Sequence, residues 1–136
     1  MQAGSKTPVE VTQAVFERFG AADVDGILAH LDDDVRIEFY GPERIPYAGY
    51  YRGLSEARRF FETVLSSVDI HVFEPEQFIA SGEMVVVTGQ LHLTAKSTAQ
   101  DFKSDFAHII TVKQGRWVRF RDFMNTAVAV SAFSSK

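Results

Sequence analysis

Two titratable side chains stand out as able to do chemistry together, His108 and Asp122. They lie on two alternating segments, Phe102–Val112 and Arg116–Met124, joined by Lys113-Gln114-Gly115. An imidazole oriented by a carboxylate can give or take a proton near neutral pH. Whether the two groups meet depends on the register of a hairpin. A three-residue loop makes a type I turn whose last residue, Gly115, sits left-handed. That register puts Phe106, His108 and Ile110 on one face with Val118, Phe120, Asp122 and Met124, and sets His108 diagonal to Asp122, within reach across the strands. A two-residue turn at Gln114-Gly115 would instead set His108 beside Arg121 and Asp122 beside Ala107. The three-residue register is the expectation. A buried, hydrogen-bonded structural pair is the plainer use of the same two residues.

Other groups could serve the same site. Gln90 and His92 share parity with Val86 and Thr88 on the preceding segment, where they would either add polar contacts to a cavity or face solvent as ordinary strand residues. Tyr47, Tyr50 and Tyr51 fall in a loop that could act as a lid, with Tyr51 the candidate to give its hydroxyl to a ligand oxygen, or could simply pack the loop in place. Phe16, Phe39, Phe60, Phe106 and Phe120 share inward parity and form the expected apolar wall. His92 and His108 lack a third convergent ligand, so no metal is expected. Asp32-Asp33-Asp34 lacks the alternating spacing of a calcium loop and reads as a solvated helix exit. No phosphate loop, nucleophile elbow or zinc motif occurs.

The bulk composition narrows the class. A chain of 136 residues suits one domain, 1–136, and can bury a sizeable core. Twelve phenylalanines in that length fit either a core simply filled with aromatic rings or a cavity for an apolar, ring-shaped ligand. The net charge of −4 and the lack of a dense basic patch argue against nucleic acid. With no cysteine, thiol catalysis and thiolate metal sites are excluded. No basic-then-apolar leader opens the sequence and no apolar run approaches membrane-spanning length, so a cytoplasmic protein without a membrane partner is expected.

These residues need elements to hold them. Met1–Lys6 reads as frayed. Thr7-Pro8-Val9-Glu10 is a capping box that starts a helix running to Phe19, with Thr12, Phe16 and Phe19 on one stripe. Asp23 caps a second helix through Leu31. Val35–Tyr40 alternates as a strand, and Gly41–Gly53, rich in glycine and proline, reads as loop. A third helix covers Leu54–Ser66. Long strands follow at Asp69–Ala80, Met84–Lys96, Phe102–Val112 and Trp117–Met124, and Thr126–Phe133 closes the chain as helix or strand. Helices first and antiparallel strands later indicate an α+β fold in which helices cover one face of a curved, cone-shaped mixed sheet. The opposite face would carry Ala107, Ile109, Trp117 and Phe123 with Arg119 and Arg121, apolar enough to expect a homodimer through it.

The order of these elements, together with Ala22–Leu28, Gly49–Ala57, Ile79–Glu83, Phe106-Ala107-His108 and Gly115–Asn125, resembles the nuclear transport factor 2-like superfamily, and within it the SnoaL-like and ketosteroid-isomerase-like branch. The resemblance covers Val9 to Phe133 and implies the cone-shaped fold. Ketosteroid isomerases carry a carboxylate base where this chain has Phe39, a tyrosine where it has Val15, and an aspartic acid near Phe106 or Ala107, so steroid isomerisation is not implied. Limonene-type epoxide hydrolases match at Arg121-Asp122-Phe123, but their partner residues fall at Gln90 and His92. SnoaL-like cyclases use an aspartate near the end of the last strand. That implies Asp122, because Asn125 cannot exchange the proton. Two functions remain open. One is a cofactor-free enzyme using Asp122 and His108 on a small apolar, oxygenated molecule, as isomerase, cyclase, dehydratase or hydrolase. The other is a non-catalytic dimeric ligand-binding module.

Overall fold

The computed structural model describes residues 6–134. Most of the Met1–Lys6 segment expected to fray therefore lies outside the described residues. Helix α1 (Pro8–Gly20) begins with the expected capping box. Glu10 N–H donates to Thr7 Oγ1 at 3.1 Å and Thr7 N–H to Glu10 Oε1 at 2.9 Å. Helix α2 (Val24–Leu28) is capped by Asp23, whose Oδ1 accepts from Gly26 N–H at 2.9 Å. It ends earlier than expected, because Leu31 already opens strand β1 (Leu31–Phe39). The three aspartates therefore belong to a strand rather than a helix exit. There Asp33 and Asp34 are exposed and Asp32 is half-buried, and Asp34 holds Arg52 through two 2.9 Å contacts.

Arg52 ends strand β2 (Gly49–Arg52), a short edge strand inside the segment expected to be loop. Helix α3 (Gly53–Ser67) follows and buries Ala57, Phe60 and Phe61. Strands β3 (Val68–Ser81), β4 (Met84–Ala95), β5 (Gln100–Lys113) and β6 (Arg116–Met124) form an antiparallel run, and helix α4 (Thr126–Ser134) closes the chain. Asn125 caps α4, with Oδ1 accepting from Ala127 N–H at 3.1 Å. The six strands order as β2-β1-β6-β5-β4-β3, with β1 parallel to β6 and the remaining pairs antiparallel. The result is a mixed, curved α+β sheet that does not close into a barrel.

The hairpin between β5 and β6 corrects the expected turn. Gln114 and Gly115 are both left-handed, at φ 53° and 76°, and Lys113 pairs with Arg116. This is the two-residue loop, in the conformation that matches strand twist. One step on, a bulge intervenes. Val112 pairs with Trp117 but Thr111 pairs with Arg119, leaving Val118 as the extra residue. Beyond the bulge, Ile110 faces Phe120, His108 faces Asp122 and Phe106 faces Met124. His108 and Asp122 are direct partners rather than diagonal ones. Before the bulge the parity is reversed from expectation. Trp117 lies inside, 1% exposed, and so cannot belong to the outer face where it was expected to support a homodimer.

Trp117 Nε1 donates to Thr12 Oγ1 at 3.2 Å, locking α1 onto the sheet. Thr12 is fully buried, so its hydroxyl depends on that donor. Trp117→Phe should cost about 1–3 kcal/mol in urea unfolding, since a buried polar group loses its partner. An unchanged midpoint would show that the hydroxyl finds another donor.

On the outer face, Glu38 binds β1 to β6. Its burial pushes the carboxyl up, but hydrogen bonds from Arg119 and Tyr40 more than offset this and hold it below its ordinary value of 4.5. A carboxyl held low in the folded chain contributes stability that is present above its unfolded value. That contribution fades as pH falls toward the lower folded value. Glu38→Gln should therefore flatten the loss of stability below about pH 4.5. Superimposable acid-unfolding curves for both proteins would contradict this.

Candidate active site

Between α1, α3 and the inner face of the sheet lies a cavity of about 70 Å³. A single water needs roughly 10–15 Å³ of such space, so the cavity admits a small organic molecule. The alternating strand pattern aims side chains into it from β1 (Phe39), β3 (Phe73), β4 (Leu91, Leu93), β5 (His108) and β6 (Trp117, Phe120, Asp122). Phe16 and Phe19 of α1 and Phe60 and Phe61 of α3 supply the opposite wall. Among the described residues, Tyr47, His108 and Asp122 form its polar end, and the rest of the lining is aliphatic or aromatic.

His108 Nε2 lies 3.2 Å from Asp122 Oδ1, with side-chain exposures of 5% and 16%. The contact is attractive only with a hydrogen on Nε2, which fixes the neutral ring as the tautomer with a bare Nδ1. That Nδ1 is buried and has no hydrogen-bond partner. The ring is clamped by aromatic neighbours. Phe106 stacks on it at 4.5 Å, Phe120 meets it edge-on at 4.9 Å and Phe16 at 5.7 Å. Trp117, fixed by Thr12, in turn stacks on Phe120 at 4.9 Å. The chain of contacts from α1 through Trp117 and Phe120 thus sets the imidazole's position.

Tyr47 completes the polar end. It lies in the segment between β1 and β2, is 3% exposed, and packs edge-on against Phe39 at 5.1 Å. Burial, and then the charge of Asp122, push its phenol well above its ordinary value, so it stays protonated and available as a donor. Tyr51 holds this segment in place, its hydroxyl donating to the Tyr47 carbonyl at 3.0 Å.

The expected site residues divide accordingly. Phe16, Phe39, Phe60, Phe120, His108 and Asp122 all line the cavity. Phe106 is on the inner face but sits behind the wall, stacked between His108 and Phe73. Tyr51 is not a lining residue; it packs on Phe60 at 5.1 Å and supports Tyr47. Gln90 and His92 are corrected outright. On β4 the buried stripe is Val85, Val87, Gly89, Leu91 and Leu93, so Gln90 and His92 point out of the opposite face. The greater apolarity of that odd-numbered stripe was the signal that could have placed them. Asn125, as the cap of α4, is exposed rather than part of the site. Phe39 pairs with Asp122 across β1 and β6. Phe39→Asp should therefore set a second carboxylate beside the first and abolish the enhanced fluorescence of a hydrophobic dye bound in the cavity. Unchanged dye binding would place the dye elsewhere.

An open mixed sheet wrapped by N-terminal helices around a cavity with a polar end defines a nuclear transport factor 2-like protein. The chain belongs to the SnoaL-like domain family, whose pattern matches residues 12–120. Among solved structures it is similar to an NTF2-like protein from Burkholderia xenovorans LB400. The two share 28% identity over 96% of this chain and 100% of the other, with a TM-score of 0.87. It is also similar to TerC, crystallised with polyporic acid, at 23% identity over 94% and 98% of the two chains with a TM-score of 0.82. A Xanthomonas campestris protein provisionally named a polyketide cyclase shares 18% identity over 93% and 96% of the chains with a TM-score of 0.78. No curated protein matches the chain. Among the described residues, no helix is long and apolar enough to cross a membrane.

Proposed function

We propose that the protein is a small-molecule enzyme that works by general acid–base chemistry on an apolar, oxygen-bearing substrate held in this cavity. The observation that carries this reading is the contact between His108 and Asp122 at the wall of an aromatic cavity, with His108 Nδ1 left unpartnered. With its hydrogen directed at Asp122, the imidazole offers the Nδ1 lone pair to a substrate proton. Asp122 stabilises the imidazolium that forms, and the ring returns the proton to a second substrate atom. Tyr47 donates to the substrate oxygen on which negative charge builds. Proton removal and return at two atoms is the chemistry of an isomerase or cyclase. The route uses side chains alone. TerC's crystallisation with polyporic acid, and the naming of the Xanthomonas protein, support an oxygenated, ring-containing substrate. The reading also takes in a homodimer through the outer sheet face, for which light scattering at micromolar concentration should give twice the chain mass; a monomer mass would remove that part.

A screen of epoxides, enones and polyketide-like ketones tests the reading. Wild type should turn over at least one class, and Phe39→Asp should not. A second reading, a non-catalytic ligand-binding module, is favoured by how apolar the wall is outside Tyr47, His108 and Asp122. Tight binding of panel members by wild type with no turnover of any would move the assignment to that module.

A further inference from the structure

On the outer face of the sheet, far in function from the cavity, three potential metal ligands converge. His71 of β3, His92 of β4 and Asp101 of β5 bring donor atoms within 4.8 Å of one another. The strand pairing explains the convergence. Ile70 pairs with Leu93 and Val72 with His92, so His71 is the extra residue of a bulge in the edge strand. A bulge re-aims its inserted side chain. Here it brings the His71 ring to 4.8 Å from the His92 ring on the neighbouring strand. Asp101 closes the third side, with Oδ2 3.0 Å from His92 Nε2 and Oδ1 accepting from Thr94 at 2.6 Å. Thr94 Oγ1 is in turn 2.6 Å from His71 Nε2.

We propose that His71, His92 and Asp101 bind a divalent transition-metal ion of the zinc type, one per chain, and tie the edge strand β3 to β4 and β5. Two imidazoles and one carboxylate are the donor set such ions prefer, whereas magnesium and calcium favour all-oxygen sites. Three protein ligands leave the fourth tetrahedral position to water. Ligand atoms sit about 2.0–2.2 Å from a bound zinc, so the donors must draw closer than they now stand. His71 and Asp101 are exposed and His92 is half-buried, so rotation of surface side chains suffices and the strands need not move. The ion would replace the contacts the three side chains now make with one another and with Thr94. His30 and His108, the remaining histidines, lie elsewhere in the fold, and neither joins this cluster.

The test uses tag-free full-length protein, titrated with Zn²⁺ by calorimetry and with Co²⁺ by visible absorption. Wild type should bind one equivalent of each, show the absorption of a tetrahedral Co²⁺ site, and melt at higher temperature with Zn²⁺ but not with Mg²⁺. His71→Ala and His92→Ala should each weaken binding at least about 100-fold, beyond the 10–100-fold typical of changes around a site rather than in it. His30→Ala should bind as wild type does. Failure of wild type to bind a stoichiometric ion, or binding that survives both His71→Ala and His92→Ala, would overturn the proposal. Neither result touches the reading of the cavity, whose residues lie on the other face of the sheet.

Discussion

Asp122→Asn is expected to lower turnover of the best substrate by about 10²–10⁴-fold, the usual loss when general acid–base help is removed. The substitution keeps the shape of the side chain, which is 16% exposed at the cavity wall. It removes the charge that stabilises an imidazolium and lets the amide face His108 Nε2 with either its oxygen or its N–H. In the second orientation the imidazole hydrogen moves to Nδ1 and the lone pair that should take the proton is lost. Substrate affinity should change little, because most of the wall is aromatic. His108→Gln should cost at least as much, since it removes the ring proposed to take the proton. Tyr47→Phe should cost less and act mainly on kcat, because its hydroxyl contributes most when the oxygen becomes charged. A fall of less than about threefold for both Asp122→Asn and His108→Gln would take the dyad out of the chemistry.

Gly89→Ala is expected to be the most damaging single methyl in the fold. A Cβ at this position of β4 would lie 2.1 Å from the Glu74 carbonyl oxygen and 2.7 Å from Phe106 Cζ. The first neighbour is backbone. It sits beside Pro75, the pairing partner of Gly89, next to a second bulge in β3, so it cannot step aside as a flexible side chain would. The second neighbour is a buried ring stacked on Phe73 at 4.8 Å and on His108 at 4.5 Å. Overpacking in a tight core costs about 1–3 kcal/mol, and a backbone clash belongs at the top of that range. At about 1.4 kcal/mol per factor of ten, the ratio of folded to unfolded chain should fall roughly 100-fold. Urea unfolding should show this as a lowered midpoint with the slope preserved. Displacement of Phe106 should also reach His108, so activity should fall even where Gly89→Ala remains folded. An unchanged midpoint would show that β3 yields at the bulge without cost.

Much of this architecture was legible in the residues. The capping box at Thr7 and Glu10, the apolar stripe of α3 and the long alternating strands are local signals with local causes, and each element lies close to where its pattern put it. Strand β2 was hidden because four residues among glycines and prolines carry no period of their own; its partner β1 makes it a strand. The aspartate triplet was misread because charge says only that side chains are solvated, which an outward-facing strand satisfies as well as a helix exit.

The dyad shows how a correct face can come from an incorrect register. The turn is one residue shorter than expected, which alone would have separated His108 from Asp122. The bulge at Val118 shifts the pairing by one residue more in the same direction. Gln114 at φ 53° is not among the residues that advertise a left-handed turn, and nothing in Arg116–Phe120 marks a bulge. The two one-residue shifts add to two, which restores the face beyond Val118 and turns a diagonal pair into a direct one; their trace lies before it, in the inward turn of Trp117. Tyr47 was legible as a loop tyrosine but not as the one facing the site, since only the fold brings it within reach of the charge of Asp122.

The central claim is that His108 lines the cavity with Nε2 3.2 Å from Asp122 Oδ1, and that its buried, unpartnered Nδ1 is the atom that takes a substrate proton. Nitrogen NMR of the ¹⁵N-labelled His108 ring measures this directly. The neutral ring is expected to show a protonated Nε2 and a bare Nδ1. Only the Nδ1 resonance should shift strongly when a hydroxylated aromatic such as phenol is titrated in, and Phe39→Asp should suppress that shift. A ring protonated on Nδ1 alone, or an Nδ1 resonance that stays fixed while phenol fills the cavity, would contradict it.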